Sequence, residues 1–139
     1  MKAACAACDK SWPPSEARIV GFPLSDAYLH SDQSVLGWTL LVLRRHATEL
    51  FDLTEAERAG LIEEVSALAR AVATAFDARK VNYALLGNEL PHIHWHIIPR
   101  RADDPNPRVP PWSVARPPVT LAAPERDAHI ARLRDALAR

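Results

Sequence analysis

At 139 residues, 48% hydrophobic and 24% charged, the chain is sized for one globular domain with a core of its own, independent of disulfides. Its seventeen basic and seventeen acidic side chains cancel, which excludes the bulk positive field that would hold a nucleic-acid duplex or an anionic membrane. The opening "MKAACAACDK" lacks the apolar core of a secretory signal and no later run approaches the ~20 apolar residues of a membrane span, so a soluble cytoplasmic protein is expected.

Cys5 and Cys8, the two cysteines, sit too close together to staple a fold, and their C-x-x-C spacing points to metal or redox chemistry. "SWPPSEARIVGFPLSD" reads as loop with one short strand, Arg18 to Gly21, and "AYLHSD" as a second strand. The apolar run "GWTLLVLRR", Gly37 to Arg45, is short enough for a buried strand. Thr54, followed three residues later by Glu57, makes a capping box that starts a long helix. Its stripe of Leu61, Val65, Leu68, Val72 and Phe76 faces a core, and Glu63, Glu64 and Arg70 take the other side. Val81 to Gly87 is the next strand, Asn88 turns the chain, and "HIHWHIIP" returns as a hairpin partner ending at Arg100 and Arg101, cations near which an anion can sit. Seven prolines between Ala102 and Pro124 imply an extended arm. Pro124 then opens a terminal helix carrying Ile130, Leu133 and Leu137.

Three of the six histidines fall at alternate positions in "HIHWHI". On a strand such residues share one face, roughly 6.5–7 Å apart, so His92, His94 and His96 point one way and Ile93, Trp95 and Ile97 point to the core. Two chemistries suit the array. An imidazole is a nucleophile at neutral pH and attacks phosphorus while its neighbours donate to phosphate oxygens; alternatively, the three rings bind zinc and leave a place for hydroxide. Spacing leaves both open.

"LLGNELPHIHWHIIPR" resembles the signature of the histidine triad (HIT) superfamily, and "LGWTLLVLRRHATELFDLTEAE" is similar to the upstream part of the same domain. The resemblance runs from Leu24 to Arg101 and implies an α+β fold, an antiparallel sheet on a long helix. Residues 1–101 would form the HIT domain with its C-x-x-C segment, and 102–139 an arm and helix packed on it. It implies a homodimer acting at the α-phosphate of a nucleotide such as a dinucleoside polyphosphate, cleaving a phosphoanhydride or phosphoramidate bond. His94 would be the nucleophile and His96 the phosphate contact. Asn88 and Asn82 would be polar residues near the phosphates, and Asp32 or His30 the ribose contact. The C-x-x-C resembles that of family members with a structural zinc, whose ligands here would be Cys5, Cys8, His46 and His92. Under that assignment no metal position is left for substrate. Many members carry a histidine after the glycine that opens the central strand; here that residue is Trp38, which leaves the protonation of the leaving group unassigned and keeps a non-catalytic nucleotide-binding module as an alternative. The arm's Trp112 resembles the tail tryptophan of some relatives, which implies a place near the site or the dimer partner, as a buried anchor or as an aromatic stacked on a base.

Overall fold

In the computed structural model, which describes residues 4–139, five strands form one antiparallel sheet. The strands are β1 (Arg18–Gly21), β2 (Ser25–Leu29), β3 (Thr39–Leu43), β4 (Ala78–Ala84) and β5 (His94–Arg101), in the spatial order β1-β2-β3-β5-β4. Helices α1 (Glu55–Phe76) and α2 (Ala123–Leu137) complete the α+β fold implied by the sequence. Among the described residues, no helix is long and apolar enough to cross a membrane.

Helix α1 starts where its capping box puts it: Glu57 N–H donates to the Thr54 hydroxyl at 3.1 Å, and Thr54 N–H donates to the Glu57 carboxylate at 2.9 Å. Leu61, Val65, Leu68, Val72 and Phe76 are all buried. Glu64 is a correction, because it too is buried: its carboxylate accepts the Ser25 hydroxyl at 2.6 Å and the Leu24 N–H at 3.1 Å, stapling the start of β2 to the helix. A polar residue flanking the apolar stripe reads as solvated unless its partners are known. The helix ends at Asp77, whose left-handed φ of 51° turns the chain directly into β4. That strand therefore begins three residues before the expected Val81; its opening Arg79 and Lys80 are exposed and give no apolar signal.

One apolar cluster joins the sheet to both helices. Ile19, Leu29, Leu41 and Leu43 meet Leu61, Leu68 and Val72 of α1, Ile93 and Ile97, and Ile130 and Leu133 of α2. Among the described residues the other sheet face has no helix, yet Leu40, Val42 and Ile98 are buried there beside His94. Irregular segments cover it. Arg100 fixes one of them: its guanidinium donates to Asp104 at 2.6 Å, to Asn82 Oδ1 at 2.9 Å, and to the carbonyls of Val109 and Asn106, both at 2.6 Å. Arg100 is thus an internal anchor for the proline-rich arm and is only 4% exposed. Pro99 is tolerated in β5 because pairing with β3 stops at Ile97, leaving β4 as the sole neighbour.

Gly37 sets the entry to β3. It holds φ at 91°, and a Cβ there would lie 2.7 Å from the Phe76 ring and 2.9 Å from Pro99. Both the left-handed backbone and the close approach demand glycine. Gly37→Ala is expected to lower stability by about 2 kcal/mol or more, measured as a reduced urea midpoint at unchanged slope; a midpoint within error of the parent would show that the helix end and β5 can yield.

Candidate functional site

The face of the sheet without a helix carries a cleft of about 590 Å³, lined by His94 and His96 of β5, His30 just after β2, Asn88 and Glu89 of the β4–β5 turn, and Trp12 of the N-terminal segment. Register explains the pairing of histidines. His94 lies opposite Val42 and His96 opposite Leu40, so alternate residues of β5 rise on the cleft side while Ile97 is driven into the core.

His92 behaves differently from its two neighbours because β5 begins only at His94. Its own N–H closes a turn onto the Leu90 carbonyl, and the following Ile93 exchanges backbone bonds with Ala47 and Leu43. The expected strand over all three histidines is therefore two residues too long at its start, and the ring of His92 leaves the shared face. Its Nε2 donates to the Leu43 carbonyl at 2.6 Å, which places its lone pair on Nδ1. Nδ1 lies 3.4 Å from Cys5 Sγ, 3.6 Å from Cys8 Sγ and 3.2 Å from His46 Nδ1, and Cys8 Sγ lies 3.4 Å from His46 Nδ1. The four donor atoms lie within 4.8 Å of one another and form a group that can hold a metal ion. A tetrahedral zinc, with bonds of about 2.0–2.3 Å, imposes donor separations of roughly 3.3–3.8 Å, close to the four separations of 3.2 to 3.6 Å given above.

Each cleft histidine has one ring nitrogen committed to the protein. His94 Nδ1 donates to the His92 carbonyl at 2.7 Å, so its Nε2 carries a lone pair toward the cleft. His96 is the reverse: the Trp38 indole N–H donates to His96 Nδ1 at 3.0 Å, so the ring proton sits on Nε2. His30 Nδ1 lies 3.0 Å from the Asp32 backbone nitrogen, which donates to it, and 3.1 Å from its carbonyl. The His30 ring stacks on Trp38 at 4.6 Å. Burial pushes His96 down to about 4, helped by repulsion from His94 and His30, and burial also holds His30 below its ordinary value. The cleft thus presents one lone pair beside ring N–H donors, an arrangement chemically suited to attack on phosphorus.

Two sequence candidates lie elsewhere. Asn82 faces the groove under the arm, where its Oδ1 accepts from Arg100. Asp32 Oδ1 accepts from the backbone of Ser34 at 2.9 Å and of Val119 at 3.0 Å. Burial works to raise its carboxyl, but those bonds prevail and keep it below the usual range. Asp32 therefore anchors the arm, and His30 is the residue that reaches the cleft. Trp112 is half exposed in the arm groove, which Lys80 and Tyr83 also line, and it is not part of the lining of the histidine cleft. Trp12 went unread in the sequence. Its ring meets His94 edge-on at 5.2 Å and forms a cleft wall, and the available signal was its place four residues after a C-x-x-C that ends beside the triad.

Comparison with known proteins agrees with this geometry. The HIT domain family model matches residues 15–103. The bis(5'-nucleosyl)-tetraphosphatase [asymmetrical] of Schizosaccharomyces pombe is 30% identical over 86 residues, 58% of this chain and 47% of that protein, so the chain spans about half the length of this curated relative. Among solved structures, a histidine triad protein from Bradyrhizobium japonicum is 37% identical with a TM-score of 0.78, covering 88% of this chain and 92% of that one. A Zn-bound histidine triad family protein from Mycobacterium smegmatis is 26% identical with a TM-score of 0.72, covering 97% and 94%. The paired His94 and His96 in their cleft, the sheet-on-helix fold and a family match over most of the chain's strands have one reading: the chain belongs to the HIT domain family.

Proposed function

We propose that the chain hydrolyses a nucleotide at its α-phosphate through a covalent nucleotidyl-His94 intermediate, with a dinucleoside polyphosphate or related nucleotide as substrate. The observation that carries this reading is the orientation of His94. Its Nδ1–H is held by the His92 carbonyl at 2.7 Å, so the nucleophilic lone pair on Nε2 is aimed into the cleft before substrate arrives. Attack forms an Nε2–P bond as the bond from phosphorus to the leaving oxygen breaks. The imidazolium so formed keeps its Nδ1 proton on the His92 carbonyl. His96 Nε2–H donates to a non-bridging phosphate oxygen. Water then forms an O–P bond as the Nε2–P bond breaks, its electron pair returns to His94 Nε2, and the water's proton passes to solvent with the monophosphate released. Asn88, exposed at the turn, is assigned to the phosphates, and His30 to the ribose side. The tetraphosphatase activity named for the yeast relative supports this substrate class.

Cys5, Cys8, His46 and His92 hold a structural zinc in this reading, supported by their spacing and by the Zn-bound relative. Zinc bound there ties the N-terminal segment to the start of β5; catalysis is left to the chain's own side chains. The three-histidine metal centre is disfavoured because His92 belongs to the cysteine group while His94 and His96 line the cleft. A homodimer fits the edge position of β4, whose Tyr83 is 50% exposed. Thiols at Cys5 and Cys8 suit a cytoplasmic location.

His94→Ala is expected to cut turnover of diadenosine polyphosphates by roughly a thousandfold or more and to abolish acid-labile nucleotidyl-protein trapped in a rapid quench; parent-like turnover in this variant would sink the covalent reading. Cys5→Ser and Cys8→Ser are each expected to lower bound zinc from about one per chain, counted by native mass spectrometry, and to reduce the melting temperature. Full zinc occupancy in both variants would remove the cysteines from the ligand set.

A further inference from the structure

A histidine serves as a general acid only through its cationic form, in which both ring nitrogens carry protons; the N–H of a neutral imidazole is far too weak an acid to protonate a leaving group. His96 is the cleft ring best placed beside the nucleophile, 5.3 Å from His94 between ring centroids. Its Nδ1 receives the Trp38 indole N–H at 3.0 Å. An indole nitrogen donates and never accepts. A proton added at His96 Nδ1 would therefore face the indole N–H head-on, and the bond that holds the ring would become a repulsion.

No compensating group is present around His96 among the described residues of the cleft. The titratable groups that face it are His94 at 5.3 Å and His30 at 5.9 Å, both histidines whose charge opposes a second cation. Glu89, the acidic residue of the lining, is exposed at the turn. Trp38 is itself fixed: its ring is stacked on His30 at 4.6 Å and its carbonyl accepts the His30 N–H at 2.9 Å. Turning the indole away to admit a proton would give up both that stack and its bond to His96.

We propose that Trp38 is a positioning residue that locks His96 as a permanent neutral Nε2–H donor, so that the cleft cleaves phosphoanhydrides, whose leaving group departs as a stable anion, in preference to phosphoramidates, whose amine must be protonated. The selectivity rests on the nucleotidyl-His94 reading; the lock on His96 stands without it. In the anhydride case the Pα–O electron pair leaves with a polyphosphate oxygen and no proton is required. In the phosphoramidate case the Pα–N pair would leave on nitrogen, and the acid that captures it has to come from a cationic residue. His94 is consumed as nucleophile, and His96 is held neutral. The low proton affinity that burial gives both His96 and His30 acts in the same direction.

The test uses the whole zinc-loaded chain labelled with ¹⁵N-histidine. Long-range ¹H–¹⁵N spectra of His96 are expected to show a protonated Nε2 and a bare Nδ1 that persist on acidification to about pH 5, where a free imidazole is mostly cationic. In Trp38→Phe the pattern is expected to give way to mixed tautomers that charge at higher pH. Spectra of the parent chain with a protonated Nδ1 at neutral pH would overturn the lock, whatever the variant does. For the chemistry, kcat/KM is compared between diadenosine tetraphosphate and an adenosine phosphoramidate. The parent is expected to favour the anhydride by roughly 100-fold or more, the range a missing general acid costs, and Trp38→His, which can accept and pass on a proton, to narrow that ratio. Equal rates in the parent would overturn the selectivity. No turnover of either compound beside an intact Nε2–H spectrum would instead overturn the nucleotidyl-histidine reading, and the selectivity with it, while leaving the lock in place.

Discussion

The hydrogen bond from His92 Nε2 to the Leu43 carbonyl, 2.6 Å long, is the constraint on which the site depends. It spends the last carbonyl of β3 on a side chain from the approach to β5, and so fixes how the two central strands begin their pairing. It also decides the tautomer of His92, turning Nδ1 toward Cys5, Cys8 and His46. The carbonyl of the same residue accepts His94 Nδ1–H. One residue therefore reaches the N-terminal segment through its ring and His94 through its backbone. A buried side chain satisfied at both ring nitrogens cannot rotate without orphaning a polar group, so the aim of His94 is inherited from the metal group and the sheet together.

Electrostatics shapes this crowded cluster of rings. The His96 centroid lies 5.9 Å from that of His30 and 5.3 Å from that of His94, and a charge on either neighbour makes a proton on His96 less favourable. Burial adds to this for His30 and His96. Neutral rings are an advantage for a nucleophile, which needs a lone pair, and for donors, which need only an N–H. They are no help in protonating a poor leaving group. In the proposed mechanism, the crowding that favours attack on phosphorus also restricts which bonds can break, a link between packing and substrate class that a list of histidines would not show.

The fold was legible where local signals and long-range packing coincide. The capping box at Thr54 and the stripe from Leu61 to Phe76 set α1, and the alternating "HIHWHI" marked the strand that carries the chemistry. The cysteines and histidines of the metal group were legible through family resemblance and chemistry, since four residues far apart in sequence give no periodicity. What sequence does not show is a partner that lies on another element. Glu64 reads as solvated until Ser25 and Leu24 are placed against it, and the bonds of Asn82 to Arg100 and of Asp32 to Val119 likewise join segments that no local pattern pairs. His92 was misplaced because alternation continues past the point where backbone pairing begins.

Such cross-element bonds are what turn the bare sheet face into a site. Three irregular segments each position one histidine. Trp12, in the N-terminal segment, walls His94 edge-on at 5.2 Å. The arm, held at one end by Arg100 and at the other by Asp32, fixes the backbone onto which His30 Nδ1 is bonded. The left-handed Gly37, pressed between Phe76 and Pro99, delivers Trp38 to His96. None of these segments has regular structure over its site residue, so none could hold its side chain by helix or strand geometry alone. Each is held instead by a polar bond or close contact to an element of the sheet-helix core. Rigidity of that core is thereby transmitted to loops, and the cleft histidines are kept aligned on a face that carries no helix among the described residues.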